Sequence, residues 1–109
     1  MAYDEALASR VREALGDNPG ISERQMFGGI AFMLSGNMAV GVNKDDLMVR
    51  TDPDDHDEAL TQAGVRVFDM TGRPMKGWIL VGPEATEDDA ELQKWVGAGL
   101  DFAGSLPPK

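Results

Sequence analysis

Cysteine is absent from the 109 residues, and histidine occurs only once, at position 56. The absence of cysteine excludes disulfides, thiolate metal sites and cysteine nucleophiles. A Ser-His-Asp triad would depend entirely on His56, and no serine lies in a nucleophile-elbow sequence. Apolar runs are short, since the stretches at 30–34 and 78–82 fall far below the roughly 20 residues that a membrane-spanning helix needs. We therefore expect a soluble cytoplasmic protein without an N-terminal signal peptide.

Positive charge is also scarce. Ten lysines and arginines stand against nineteen aspartates and glutamates, which gives a net charge of −9. Proteins that bind duplex DNA gain most of their affinity from cations that neutralise phosphates. The composition therefore argues against direct nucleic-acid binding unless the few cations gather on one face of the molecule.

The chain has the length of one ordinary domain, and no linker or low-complexity tract divides it, so we expect a single domain over residues 1–109. Residues 3–15 read as an amphipathic helix, with Leu7, Val11 and Leu15 on one stripe. A second helix begins at Asp52, a natural N-cap that is followed by a proline. A third helix fills the C-terminal part of the chain, with Thr86 as its expected cap.

Between the first two helices, the apolar period changes to two. This pattern predicts three strands joined by short turns, the first of them within residues 24–34. That first strand is apolar on both faces, so we expect both faces to be covered, by helices or by a partner. Gly28 and Gly29 indicate a bulge or a close backbone approach within it. Residues 65–70 and 77–82 read as two further strands.

These elements predict an α+β fold of two layers in the order α-β(3)-α-β(2)-α. Its mainly antiparallel, five-stranded sheet would be packed against the helices.

The search for chemistry finds no catalytic machinery, so we expect no enzyme activity, no cofactor and no metal site. The acidic run at 52–58 is typical of a helix N-terminus and does not match a calcium loop. His56, in that run, is expected to be an exposed helix residue. The seven methionines either fill the core or line an exposed apolar interface.

The segment TGRPMKGWIL, at 71–80, is a cationic stretch in an acidic chain. Residues 65–82 contain Arg66, Arg73 and Lys76 against a single acid, Asp69. The glycines and the proline explain it as a hairpin turn. Its positive charge would meet an anion, a carboxylate-rich partner, or the acidic helix at 52–58 of the same chain.

Three segments follow the N-terminal helix: RQMFGGIAFMLSGNMAVGV, DLMVR and TGRPMKGW. In this order they resemble the TfoX/Sxy N-terminal-domain family, which is named for regulators of bacterial natural competence. The similarity runs over roughly residues 3–106. The MFGG motif of the family falls on 26–29, and its GRPMKG motif falls on 72–77.

The resemblance implies a two-layer α+β domain of the secretion-chaperone-like type, and it carries over no catalytic residue. Unlike the full-length regulators, this sequence has no helical C-terminal domain, so we expect a free-standing domain.

We expect a non-enzymatic regulatory or protein-interaction module, which assembles as a homodimer with no membrane contact. The alternative is anion or nucleic-acid binding through Arg50, Arg66, Arg73 and Lys76. The candidate interaction surface comprises Met26, Phe27, Gly28, Gly29, Arg50, Arg66, Gly72, Arg73, Pro74, Met75, Lys76, Gly77 and Trp78.

Overall fold

A computed structural model of the chain describes residues 3–16, 19–26, 29–68 and 77–107. Its helices and strands follow one another as α1 (Glu5–Leu15), β1 (Ile21–Met26), β2 (Gly29–Leu34), β3 (Asn37–Asn43), β4 (Asp46–Arg50), a 3-10 turn (Pro53–Asp55) that runs into α2 (His56–Ala59), β5 (Val65–Val67), β6 (Trp78–Val81), α3 (Pro83–Thr86) and α4 (Asp89–Gly104).

The described strands form one six-stranded sheet in the order β1-β2-β3-β4-β6-β5, and every neighbouring pair is antiparallel. After β4 the chain passes through α2 and forms β5 at the edge of the sheet. It then returns to form β6, which lies between β4 and β5. The predicted α+β architecture, with a mainly antiparallel sheet and packed helices, is confirmed.

The additional strand is β1, which begins at Ile21 and ends inside residues 24–34, where the sequence predicted one strand. The chain instead forms two antiparallel strands, with Met26 opposite Gly29 and Ile21 opposite Leu34. Apolar residues continue through the reversal, so their alternation does not show where β1 ends. The close backbone approach expected here occurs at Gly29, where a Cβ atom would collide with the main-chain oxygen of Val42.

One face of the sheet carries the main hydrophobic core. Strand residues from β2, β3, β4 and β6 pack there against Leu7 and Val11 of α1, Ala59 of α2, and Leu92 and Val96 of α4. The helices α1, α2 and α4 therefore cover the same face, which makes the two layers. The core side chains from the strands are Ile30, Phe32, Val40, Val42, Leu47, Val49, Ile79 and Val81.

Aspartate side chains cap both long helices. The Asp4 carboxylate accepts hydrogen bonds from the backbone N–H groups of Ala6 and Leu7 at the start of α1. At α4 the cap is Asp88, whose carboxylate accepts from the Ala90 N–H at 2.9 Å. The prediction of Thr86 as this cap is wrong, because Thr86 is the buried last residue of the separate short helix α3.

Among the described residues, no helix combines the length and the apolar character needed to cross a membrane.

Candidate interaction surface

The ends of β4 and β6 bring together two residues of the predicted surface. Arg50 lies opposite Trp78 in the sheet register. The Arg50 guanidinium carbon is 5.3 Å from the ring centroid of Trp78 and 5.3 Å from that of Phe102 in α4. The Phe68 ring adds a tilted aromatic contact to Trp78, with a centroid distance of 5.9 Å. Cation–π attraction therefore holds the Arg50 side chain against the rings of its own chain.

Arg66 lies on the same face of the sheet, opposite Leu80 of β6. Its guanidinium forms an ion pair with Asp46 of β4. The hydrogen bond to Asp46 raises the pKa of Arg66, although burial opposes this change. The anion-binding alternative needs four cations to converge, and two of them, Arg50 and Arg66, are already engaged within the chain. It stays a prediction, because Arg73 and Lys76 lie outside the described residues.

A hydrogen-bonded junction fixes the backbone where the chain enters β6. Gly77 adopts a positive φ of 90°, a conformation that favours glycine. Its N–H donates to the His56 Nδ1 at 3.1 Å, and its carbonyl accepts from the Thr51 N–H at 2.7 Å.

His56 is only 6% exposed, so the prediction of an exposed histidine is wrong. The acidic run around it does begin as expected, because Asp52 caps the turn by accepting from the Asp54 N–H. However, His56 occupies the inner side of that run, where it contacts the distant Gly77.

The face of the sheet opposite the helices carries a row of apolar side chains, which we call the methionine strip. It comprises Met33, Met38, Met48 and Leu80. Met33 is paired with Met38, and Met48 with Leu80. Met48 is fully buried, whereas the other three side chains are half-buried. Met48 therefore fills an interior position, as the core explanation predicts, whereas the role of the strip as an interface stays a prediction.

A cleft between α2 and α4, which we call the α2–α4 cleft, has a volume of about 550 Å³. The exposed carboxylates of Asp52, Asp55 and Glu58 line one side, and Asp101 lies on the other. The remaining lining includes Thr51, Ala59, Gln62, Trp95, Ala98, Phe102 and Ser105.

Two buried polar atoms of the cleft residues have no hydrogen-bond partner among the described residues. These atoms are Thr51 Oγ1 and Trp95 Nε1, in side chains whose residues are 6% and 4% exposed. A buried polar group without a partner costs about 1–3 kcal/mol, so such groups are rare in folded proteins. Both atoms belong to residues that line the α2–α4 cleft, so the unpartnered buried polar groups of the described residues are concentrated at this cleft.

The cleft was not predicted from the sequence, because its two sides lie about forty residues apart in the chain. One local signal was present: Trp95, Ala98, Phe102 and Ser105 recur at intervals of three and four, which places them on one side of a helix. The acidic side is already accounted for as a favourable helix N-terminus, so its position opposite α4 has no separate signal in the sequence.

Within the described residues, no group of three or more histidine, cysteine, aspartate or glutamate side chains is placed to hold a metal ion.

Residues 13–103 match the family model described as the TfoX N-terminal domain. The chain belongs to the TfoX N-terminal domain family. The resemblance seen in the sequence is therefore confirmed over most of the chain. A search of curated proteins finds no match.

The matched range of this TfoX N-terminal domain includes both motifs and all the residues that line the α2–α4 cleft except Ser105. The structure brings Arg50, Gly77 and Trp78 together, and it places Arg66 farther along the same face. Gly29 packs against β3 inside the fold. Only the backbone of Met26 is described, and the remaining predicted residues lie outside the described ranges: Phe27, Gly28, Gly72, Arg73, Pro74, Met75 and Lys76.

Proposed function

We propose that this TfoX N-terminal domain is a regulatory protein-interaction module that performs no bond-making chemistry and works as a homodimer. The methionine strip carries the proposal. It lies on the face of the sheet opposite α1, α2 and α4, where Met48 is fully buried and the other three side chains are half-buried. Partly accessible apolar side chains grouped in this way support an interaction surface, and methionine adapts readily to a partner surface.

Self-association is the simplest use of such a strip. A twofold dimer brings the same patch of each copy together, so a central apolar row meets an identical apolar row. The ion pair of Asp46 with Arg66 lies on the same face, beside the strip. An apolar centre with a polar surround is the usual composition of an interface.

The non-enzymatic part of the proposal is supported by the position of His56. The only histidine of the chain is buried, and its Nδ1 accepts a hydrogen bond from the backbone of Gly77. It is therefore used to hold the fold. Turnover of any substrate that disappeared in a folded His56→Gln variant would contradict this part.

Size-exclusion chromatography with light scattering tests the dimer. We expect a dimer at micromolar concentration and a shift to monomer in Met33→Glu, because a charge in the strip would have to be desolvated at the interface. Val67→Glu is the matched control, since Val67 is an exposed apolar strand residue outside the strip. Circular dichroism checks that both variants fold. A wild-type protein that stays monomeric at high micromolar concentration would refute self-association.

A further inference from the structure

We propose that the α2–α4 cleft binds an arginine-bearing segment of a partner protein. This inference rests on the proposed function as an interaction module, but it uses a surface other than the methionine strip. The cleft lies in the helix layer, whereas the strip lies on the opposite face of the sheet.

The carboxylates around the cleft determine the sign of the charge that a ligand should carry. All four carboxylates are exposed, and none of them forms an ion pair with another described residue. A positively charged group gains the most from entering this field. The four are Asp52, Asp55, Glu58 and Asp101.

The carboxylates of the cleft favour arginine over lysine. A guanidinium is planar, so it pairs with a carboxylate through two parallel hydrogen bonds, whereas an ammonium group acts as a point charge. The rings of Trp95 and Phe102 are already engaged by cations of the same chain. The Lys94 Nζ is 4.7 Å from the Trp95 ring centroid, and Arg50 lies over Phe102.

The two unpartnered atoms indicate a peptide in preference to a small cation. Trp95 Nε1 is only a donor and needs an acceptor, whereas the hydroxyl of Thr51 can donate or accept. A metal ion or a polyamine would supply no acceptor for the indole N–H. A peptide supplies backbone carbonyls beside its arginine side chains. Both unpartnered atoms are shielded from solvent in the free chain, so these carbonyls reach them only when side chains of the cleft shift on binding.

The first test is fluorescence anisotropy with a labelled, capped peptide of alternating glycine and arginine. Matching glycine–lysine and glycine–glutamate peptides serve as controls. We expect the arginine peptide to bind more tightly than the lysine peptide, and the glutamate peptide not to bind. Equal affinity for the arginine and lysine peptides, or no binding of the arginine peptide at low salt, would overturn the proposal.

Matched double variants separate the cleft from general attraction to an acidic protein. Asp55→Asn with Glu58→Gln removes two charges that line the cleft. Asp54→Asn with Asp57→Asn removes the same charge from the same segment, at exposed positions outside the lining. The cleft variant is expected to weaken binding about five- to tenfold, as for the loss of two exposed ion pairs, and the control less than twofold. Equal weakening by both would overturn the proposal.

Trp95→Phe tests the hydrogen bond from the indole N–H to a peptide carbonyl, because it removes this donor and keeps an aromatic ring. Loss of one hydrogen bond is expected to weaken binding about fivefold. Unchanged affinity in this variant would overturn the assignment to a peptide.

Light scattering on the same proteins keeps the two proposals distinguishable. Loss of the dimer in Met33→Glu with intact peptide binding supports two separate surfaces. A wild-type dimer that binds none of the peptides would refute the cleft alone, whereas a monomer that binds the arginine peptide would refute the dimer alone.

Discussion

Two glycines in α4, Gly97 and Gly99, provide a sharp test of how this helix is docked. An ideal Cβ atom at Gly99 would lie 2.5 Å from the main-chain oxygen of Ala39 and 2.7 Å from Val40 Cγ1 in β3. An ideal Cβ at Gly97 would have no neighbour within 4 Å. Alanine substitutions at the two positions therefore change helix propensity equally but differ completely in packing.

Helix propensity alone stabilises both variants by about 1 kcal/mol, because glycine is less favourable than alanine by this amount inside a helix. Gly97→Ala is expected to keep this gain. At Gly99 the added methyl group meets the main-chain oxygen of Ala39, at the register shift between β2 and β3, and the side chain of Val40, which is paired with both neighbouring strands. Overpacking of this kind costs about 1–3 kcal/mol, and displacement of main chain places Gly99→Ala at the upper end.

The expected result is therefore a loss of about 1–2 kcal/mol in Gly99→Ala and a gain of up to about 1 kcal/mol in Gly97→Ala. Urea unfolding followed by circular dichroism measures the difference, which corresponds to a separation of about 1–2 M between the two midpoints. Equal stabilisation by both substitutions would show that α4 is not docked tightly on β3 at Gly99.

Three further predictions concern hydrogen bonds and charges. His56→Ala is expected to lower the free energy of unfolding by about 2–3 kcal/mol in urea, because the buried Gly77 N–H loses its acceptor; an unchanged midpoint would contradict this. Asp88→Ala is expected to cost about 1 kcal/mol in the same assay, since it removes the α4 cap. The hydrogen bond from Arg12 lowers the pKa of Glu23 below its ordinary 4.5, so the pair stabilises the fold above that pH. Because both side chains are half-exposed, Glu23→Gln should cost only a few tenths of a kcal/mol at pH 7, and the difference should vanish as the pH falls through the lowered pKa.

The sequence predicted the elements whose signals are local. The stripe of Leu7, Val11 and Leu15 gave α1, and the short polar turns gave the antiparallel order of the central strands. The division of residues 24–34 into two strands was missed because apolar residues continue through the reversal. Thr86 was misassigned because a cap depends on where the preceding residues fold, and they form a separate helical turn.

The candidate sites were predictable only where one strand or one hairpin supplies them. Alternation in β2 indicated a second apolar face, and the structure places Met33 and its neighbours there. The α2–α4 cleft needs contacts between distant segments, and so does the burial of His56. Nothing in the acidic run distinguishes an exposed histidine from one that accepts a hydrogen bond from the backbone twenty-one residues away.

The junction at Gly77 relates a family motif to the α2–α4 cleft. Gly77 is the last residue of the GRPMKG motif, and its two backbone hydrogen bonds reach His56, where α2 begins, and Thr51, which lines the cleft. A Cβ atom there would approach the Thr51 oxygen to 3.2 Å, and the positive φ independently favours glycine. Because α2 has only four residues and contributes a single buried apolar side chain, Ala59, it depends on such contacts for its position. The structural role of this motif glycine is therefore to set the acidic side of the cleft relative to α4, which packs on the sheet.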